Sequence, residues 1–236
     1  RMTPEQLGER LEVQRFSACG RLEMSSYGFV PPGGGGDESP LVHATNGFLL
    51  MAGCQEEKLL PASVVREAAA ERIEAMEAER GISVPKRERE RVMDEMRFEM
   101  LPRAFTRSQR TFGYIDPIEG YLVVDASTDA KADSFIGALQ DALGALPVSL
   151  PVTQLRPATV MTGWLTQGEM PQDFDVEQEC ELRLPGDGGA VARCKNQDMA
   201  SREILTHLEA GKEAIKLAVI YGERLRFVLD EHLNIR

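Results

Sequence analysis

Residues 101–110 read Leu101-Pro102-Arg103-Ala104-Phe105-Thr106-Arg107-Ser108-Gln109-Arg110, and this segment follows a long helical stretch of the chain. It contains three arginines, one large aromatic residue and no acidic residue, although the whole protein has a formal net charge of -11. Local charge governs the local field even in an acidic protein. The segment is therefore our first candidate for contact with an anionic polymer, of which DNA is the best fit.

Two charged helices are predicted directly before this segment, at about 61–80 and 86–100. Gly81 suits the end of the first helix and Pro85 the restart of the chain. A turn of this length predicts an antiparallel helical hairpin. The inward positions expected from helical spacing are Val65, Ala68, Ala69, Ile73 and Met76, then Val92, Met93, Met96 and Met100.

The N-terminal part of the chain mixes helix, loop and strand signals. Thr3 to Gln6 form a capping box, which predicts a helix to about Val13. Residues 25–40 lose periodicity, and Gly33 to Gly36 read as a loop rather than a phosphate loop, because no Gly-Lys-Ser/Thr follows them. Short strands are expected at Val42 and at 48–51, around the turn signal Asn46-Gly47.

The chain after the basic segment alternates between strand pairs and single helices. Strands 111–115 and 121–124 should form a hairpin, followed by a helix from 129 to 143 that Ser127 or Thr128 caps and Gly144 ends. Residues 148–155 are a crossing segment or an edge strand, and Thr162 could cap a short helical turn that holds the core residue Trp164. The chain is completed by a helix that Ser201 caps and by strands 213–221 and 224–229. The hydrophobic pattern of these strands does not decide which sheet face Lys216 and Arg226 occupy.

One hairpin in this region has a predicted register. If Leu184 pairs with Ala190, then Cys180 faces Cys194 and Leu182 faces Ala192 on an apolar face. The other face then sets acids against bases, with Glu181 opposite Arg193 and Glu179 opposite Lys195. The pairing offers a structural alternative for Lys195, namely a surface ion pair rather than a ligand contact.

These elements indicate an α+β fold with β-hairpins or sheets, packed helices and a projecting antiparallel helical hairpin. We expect a main body at 1–60 and 111–236, with a second boundary near 147–160 left open. The helical hairpin and the basic segment form a separate part at 61–110.

Composition and motifs favour binding over catalysis. The chain is 42% hydrophobic and 28% charged, and no apolar run reaches the length of a membrane helix. The four cysteines lack metal-type spacing and indicate reduced thiols in the cytoplasm, while the three histidines are scattered. No nucleotide-binding or hydrolase signature is present, so we expect no cofactor, no metal and no enzyme activity.

Three basic stretches are candidates for phosphate contact, because lysine and arginine neutralise phosphates and release counterions. None resembles a base-reading helix or a row of stacking aromatics, which favours non-specific binding of duplex DNA. Each stretch alone also fits an ordinary solvated surface. The candidate residues are Arg103, Arg107 and Arg110; Arg193, Lys195 and Gln197; and Lys212 and Lys216, with Arg224 and Arg226 nearby.

Four motifs in order and spacing resemble the bacterial recombination-associated RdgC family. They are Ser26-Tyr27-Gly28-Phe29-Val30-Pro31-Pro32, Glu56-Glu57-Lys58-Leu59-Leu60-Pro61, Leu101-Pro102-Arg103-Ala104-Phe105 and Lys195-Asn196-Gln197-Asp198. The resemblance implies a ring-shaped homodimer around duplex DNA, without sequence preference or catalysis, that modulates RecA-driven strand exchange in the cytoplasm at the nucleoid. It also implies a further apolar strand before residue 1 and a further segment after residue 236.

The resemblance assigns roles to individual residues. Phe105 matches an aromatic at a dimer contact that closes the ring, and Lys195 and Gln197 match a segment linked to DNA and to ring integrity. Two departures weaken the match: Asn196 stands where relatives have a second basic residue, and 81–85 lack their basic run. The alternative function is a protein–protein interaction module that acts through the charged helical hairpin without contacting DNA.

Overall fold

The computed structural model describes residues 2–36 and 38–236, and the chain divides into two compact units, 1–148 and 149–236. The first unit contains α1 (Pro4–Leu11), β1 (Ser25–Val30), β2 (His43–Thr45), β3 (Phe48–Leu59), α2 (Ala62–Arg80), α3 (Lys86–Met100), β4 (Phe105–Asp116), β5 (Tyr121–Asp125) and α4 (Asp129–Leu143). The second contains α5 (Pro157–Gln167), β6 (Phe174–Arg183), β7 (Val191–Lys195), α6 (Arg202–Glu209), β8 (Glu213–Tyr221) and β9 (Leu225–Asp230). The expected α+β class is confirmed.

The first unit is built on an antiparallel sheet with the order β1-β3-β4-β5, and β2 pairs with one end of β3. Helices α1 and α4 cover one face, where Phe29 and Phe135 meet edge to face with ring centroids 5.6 Å apart. Gly113 lies in β4 directly below the Phe135 ring, which a Cβ atom at this position would approach to 2.7 Å. The absence of a side chain there lets α4 sit close to the sheet.

The helical hairpin forms as expected and has a small apolar core of its own. Gly81 adopts a left-handed conformation with φ 68° and ends α2, and its backbone N–H donates to the Glu77 carbonyl. The core consists of Ala69, Ile73, Val84 and Val92, with Met76, Met93 and Met96 packed against it. Ion pairs across the turn, Arg80–Glu88 and Arg89–Glu77, each 2.7 Å long, connect the two helices at this end.

The second unit contains a four-stranded antiparallel sheet with the order β7-β6-β8-β9, packed against α5 and α6. The predicted register of β6 and β7 is confirmed residue by residue, including Cys180 opposite Cys194 and Glu181 opposite Arg193. Trp164 is half-buried against this core, 6.2 Å from the Phe174 ring.

One strand was missed and two were predicted too short. Residues 25–30, for which the sequence showed no periodicity, form β1, with Gly28 allowing the Phe16 backbone to lie beside it. β3 continues to Leu59 and β4 begins at Phe105, because the two strands pair along eleven consecutive positions. Their polar ends stay extended through this pairing rather than through burial, so hydrophobic alternation could not reveal them.

The prediction that Thr162 caps a helix was wrong, and those for Thr128 and Ser201 are confirmed in position only. Thr162 lies inside α5, where its hydroxyl donates to the Ala158 carbonyl and accepts from the Ala214 N–H. Thr128 and Ser201 precede α4 and α6, but neither side chain makes a capping hydrogen bond. The capping box of Thr3 and Gln6 is confirmed.

Residues 148–155 contain neither a helix nor a strand, and Val152 is 96% exposed. None of the described helices combines the length and apolar character that crossing a membrane requires.

Candidate nucleic-acid interface

The basic segment lies at one end of the ribbon formed by β3 and β4. β1 pairs with the other edge of β3 from Ala52 to Glu57, so only the last positions of this ribbon, at Leu59 and Phe105, are two-stranded. A single 3-10 turn, Leu101–Arg103, follows α3, and β4 starts at Phe105. The first six residues of β4 are exposed, whereas the rest are buried or half-buried in the sheet. The ribbon therefore carries the basic segment on a regular backbone and leaves its side chains in solvent.

Strand geometry separates the three arginines. Because side chains alternate along a strand, Phe105 and Arg107 lie on one face of β4 and Arg110 on the other. The register agrees, since Phe105 is opposite Leu59 and Arg107 opposite Glu57, whereas Arg110 is opposite Cys54. Arg103 precedes the strand in the 3-10 turn. The segment thus offers positive charge on two sides of the ribbon rather than on a single wall.

The ion pairing of these arginines is weak. Arg107 Nη2 lies 3.7 Å from Glu57 Oε2, and both side chains are substantially exposed. Within residues 2–36 and 38–236, neither Arg103 nor Arg110 forms an ion pair. Exposed ion pairs contribute little to stability, so Arg107 can exchange its partner at small cost. All three guanidinium groups are therefore accessible to an external anion.

A buried lysine holds the start of the segment in place. Lys58 is only 8% exposed, and its Nζ donates to the Leu101 carbonyl at 3.0 Å and to the Arg21 carbonyl at 2.7 Å. The sequence indicated Lys58 only as part of a family motif and suggested no role for it. A charged residue buried among carbonyl groups was not visible from its position in a strand.

Phe105 is 82% exposed and lies across the ribbon from Leu59, which is 47% exposed. Together they form an exposed apolar pair at a strand end whose other side chains are polar. The Phe105 ring is therefore accessible to another molecule.

The candidate cations of the second unit lie on the outer face of its sheet, and neighbouring carboxylates contact them. Lys195 Nζ lies 3.0 Å from Glu179 Oε1, and Arg193 Nε lies 3.3 Å from Glu181 Oε2. Lys216 Nζ lies 3.4 Å from the same Glu181 oxygen. The surface ion pair that the sequence offered as an alternative for Lys195 is present.

Three more candidates of this unit are also engaged locally, whereas Arg224 lies exposed in the turn between β8 and β9. Gln197 donates from Nε2 to Glu203 Oε2 at 2.7 Å, and Lys212 Nζ lies 2.9 Å from His207 Nδ1. Arg226 shares the outer sheet face with Lys216, and its Nε lies 3.3 Å from Glu177 Oε1. The structure therefore places both Lys216 and Arg226 on the outer face of this sheet, which the sequence had left undecided. Unlike Arg103 and Arg110, these groups already contact a side chain within the second unit.

Other groups in the described part of the chain do not form a second candidate site. A cleft of about 420 Å³ lies between β1, β3 and α4, but no lysine or arginine lines it. Burial raises the pKa of the Tyr27 phenol beside this cleft to about 12. Burial likewise raises the pKa of Cys180 to about 12, which keeps this thiol protonated opposite Cys194. Among the described residues, no group of three or more histidine, cysteine or acidic side chains could hold a metal ion.

Comparison with known proteins identifies the family. The family model described as "Putative exonuclease, RdgC" matches residues 1–236. A protein of Halorhodospira halophila named recombination-associated protein RdgC is 47% identical over 233 residues, which cover 99% of this chain and 76% of that protein. Proteins of the same name from Aeromonas hydrophila and Pseudomonas fluorescens are 40% and 38% identical, covering 100% and 98% of this chain and 77% and 76% of their own lengths.

The two descriptions differ in emphasis, since the family model names an exonuclease and the curated relatives name an association with recombination. With a match along its whole length and relatives well above the threshold of chance similarity, the chain belongs to the RdgC family of recombination-associated proteins.

Proposed function

We propose that this chain is a non-catalytic protein that binds duplex DNA without sequence preference. The observation that carries the proposal is a pair of exposed arginines, Arg103 and Arg110, without ion pairs in the described part of the chain. They flank the exposed Phe105 in a protein whose formal net charge is -11. In an acidic protein, unpaired and concentrated cations are the groups that a polyanion would meet first.

The placement of the cations favours phosphate contact over base reading. The arginines lie on a 3-10 turn and on an exposed strand end, and Arg193, Lys195 and Lys216 of the second unit lie on a sheet face. Neither arrangement is a helix positioned to enter the major groove. Contacts of this kind bind by neutralising phosphates and releasing counterions, which gives affinity that is independent of sequence and sensitive to salt.

We further propose that two copies form a ring around the duplex, with Phe105 in the contact that closes it. An exposed aromatic at a self-complementary two-fold contact is a typical anchor of an interface. Encirclement would let a few phosphate contacts retain DNA, because release then requires opening the interface. Such a ring would limit the access of the RecA recombinase to DNA, consistent with the name of the relatives.

The test is a salt titration of binding to random-sequence duplex, monitored by fluorescence anisotropy. We expect replacement of Arg103, Arg107 and Arg110 by alanine to reduce the slope of log K against log salt by about 2–3, since each phosphate contact contributes about 0.9. The matched control replaces three exposed arginines that lie elsewhere, Arg10, Arg72 and Arg202.

A control slope equal to that of the wild type, together with a reduced slope for the first variant, supports the assignment. An unchanged slope in the first variant would exclude these arginines from the interface. A wild type that fails to bind duplex at any salt concentration would contradict the proposed function and favour the protein-interaction module.

A further inference from the structure

Arg193, Glu181 and Lys216 form a row across three adjacent strands on the outer face of the second unit's sheet. Glu181 of β6 lies directly opposite Arg193 of β7 and Lys216 of β8. A single oxygen, Glu181 Oε2, is 3.3 Å from Arg193 Nε and 3.4 Å from Lys216 Nζ. Two cations therefore share one carboxylate, and the row keeps a net charge of +1.

The neighbouring ion pairs on this face contain equal numbers of cations and carboxylates, unlike the row at Glu181. Lys195 pairs with Glu179, and Arg226 pairs with Glu177, in each case one cation with one carboxylate. These pairs are neutral. Among the ion pairs between the described residues of this face, the surplus of positive charge lies at Glu181.

The depth of the three side chains also distinguishes the row. The Glu181 side chain is 15% exposed, whereas Arg193 is 72% and Lys216 39% exposed. The carboxylate is therefore recessed and the cations extend outward. In the described part of the chain, the terminal nitrogens of the Arg193 guanidinium have no hydrogen-bond partner, and they can donate to a bound anion.

The charge state of the row is well defined near neutral pH. Burial disfavours the ionised form of Glu181, but hydrogen bonds and charge from Arg193 and Lys216 outweigh it and lower its pKa. Asp230 lies opposite Lys216 on the other side, and its oxygens accept hydrogen bonds from His232 and Asn234. These donors are neutral, so Asp230 keeps its negative charge beside Lys216, but it is only 6% exposed and forms no ion pair with Lys216 among the described residues.

We propose that Glu181 is a positioning residue of a phosphate site in which Arg193 and Lys216 hold one backbone phosphate of duplex DNA. The inference rests on the proposed function and deepens it. A guanidinium held through Nε presents its two terminal nitrogens as a fork that matches the phosphate oxygens. Long side chains lose conformational entropy when they become ordered on binding, and this loss weakens affinity. A carboxylate that orders the side chains before binding removes part of this loss.

The negative charge of Glu181 acts in the opposite direction, because it repels the phosphate. The carboxylate lies beneath the two cations, so two positive charges stand between it and the phosphate. We therefore expect the ordering effect to outweigh the repulsion.

The experiment measures binding of the whole chain to random-sequence duplex across potassium chloride concentrations. For Glu181→Ala we expect affinity to fall about 3- to 10-fold and the salt slope to fall by about 1–2. In a background that already carries Arg193→Ala and Lys216→Ala, the same change should have no further effect. Glu209→Ala, which removes an exposed carboxylate at the end of α6, is the matched charge control and should not weaken binding.

Three results would overturn the inference: tighter binding by Glu181→Ala, unchanged binding, or an equal loss in the background without the two cations. If Glu181→Ala unfolds, Glu181→Gln keeps the volume and an acceptor oxygen, and its loss of affinity should again vanish in that background. Failure of the wild type to bind duplex would instead contradict the proposed function itself.

Discussion

Lys58 shows how a single buried residue can prepare an exposed surface. Its ammonium group lies between the carbonyl groups of Arg21 and Leu101, without a hydrogen-bonded carboxylate in the described part of the chain. Burying an ammonium group is costly unless hydrogen bonds compensate for its lost hydration. The two hydrogen bonds tie the N-terminal segment to the turn that carries Arg103, and so they restrict where the basic segment can move.

Phe105 allows a direct test at the same scale. We expect Phe105→Ala to raise the dissociation constant of the dimer about 10-fold or more, because a buried aromatic anchor contributes strongly to an interface. Sedimentation equilibrium over a range of protein concentrations measures this constant.

Ile118→Ala is the matched control, since Ile118 is an apolar residue of a hairpin turn and is 74% exposed. It should leave the association unchanged. Equal dissociation constants for Phe105→Ala and the wild type would remove Phe105 from the contact.

At the scale of elements, the position of α4 on the sheet depends on glycine. A Cβ atom at Gly113 would lie 2.7 Å from Phe135 Cζ and 3.1 Å from the Val123 carbonyl oxygen. Gly137, in the interior of α4, has no heavy atom within 4 Å of the corresponding position. The two glycines thus differ in the space available for a side chain, although both lie within regular elements of the same unit.

We expect opposite effects from the same substitution at these positions. Gly113→Ala should destabilise the protein by about 1–3 kcal/mol, because overpacking displaces Phe135 or separates the helix from the sheet. Gly137→Ala should stabilise it by about 0.5–1 kcal/mol, because alanine lowers the entropic cost of forming the helix. Urea denaturation of both variants measures the difference, and a change of the same sign in both would refute the packing argument.

For the whole molecule, the central fact is the excess of acidic over basic residues. The chain has 27 basic and 38 acidic residues, and acidic side chains engage many of its lysines and arginines. Phosphate binding by so acidic a protein would be weak if each contact acted alone. The proposed ring addresses this difficulty, because a closed interface retains DNA that weak contacts could not.

A comparison of circular and linear duplex of the same sequence tests encirclement. We expect the complex with a closed circle to persist in high salt, whereas the complex with linear DNA dissociates through the free ends. Cutting the circle with a restriction enzyme should then release the protein. Equal dissociation rates before and after the cut would show that the protein binds from one side.

Local patterns in the chain were sufficient for much of the fold. The capping box at Thr3, the stripe of Ile73 and its neighbours, and the paired apolar positions of β6 and β7 each depend on residues close in sequence. Helical and strand periodicities are properties of such neighbours, so they can be read without a structure. β1 and the polar ends of β3 and β4 were missed, because their extended conformation comes from pairing with distant residues.

The sequence by itself determined that positive charge concentrates at residues 101–110 of an acidic chain. It also determined the family to which the chain belongs. Only the tertiary structure decided which cations are accessible: Arg103 and Arg110 lack ion pairs among the described residues, whereas Arg193 and Lys216 share Glu181. The physical reason is that charge is a property of each residue, but its neutralisation depends on partners that folding brings from elsewhere in the chain.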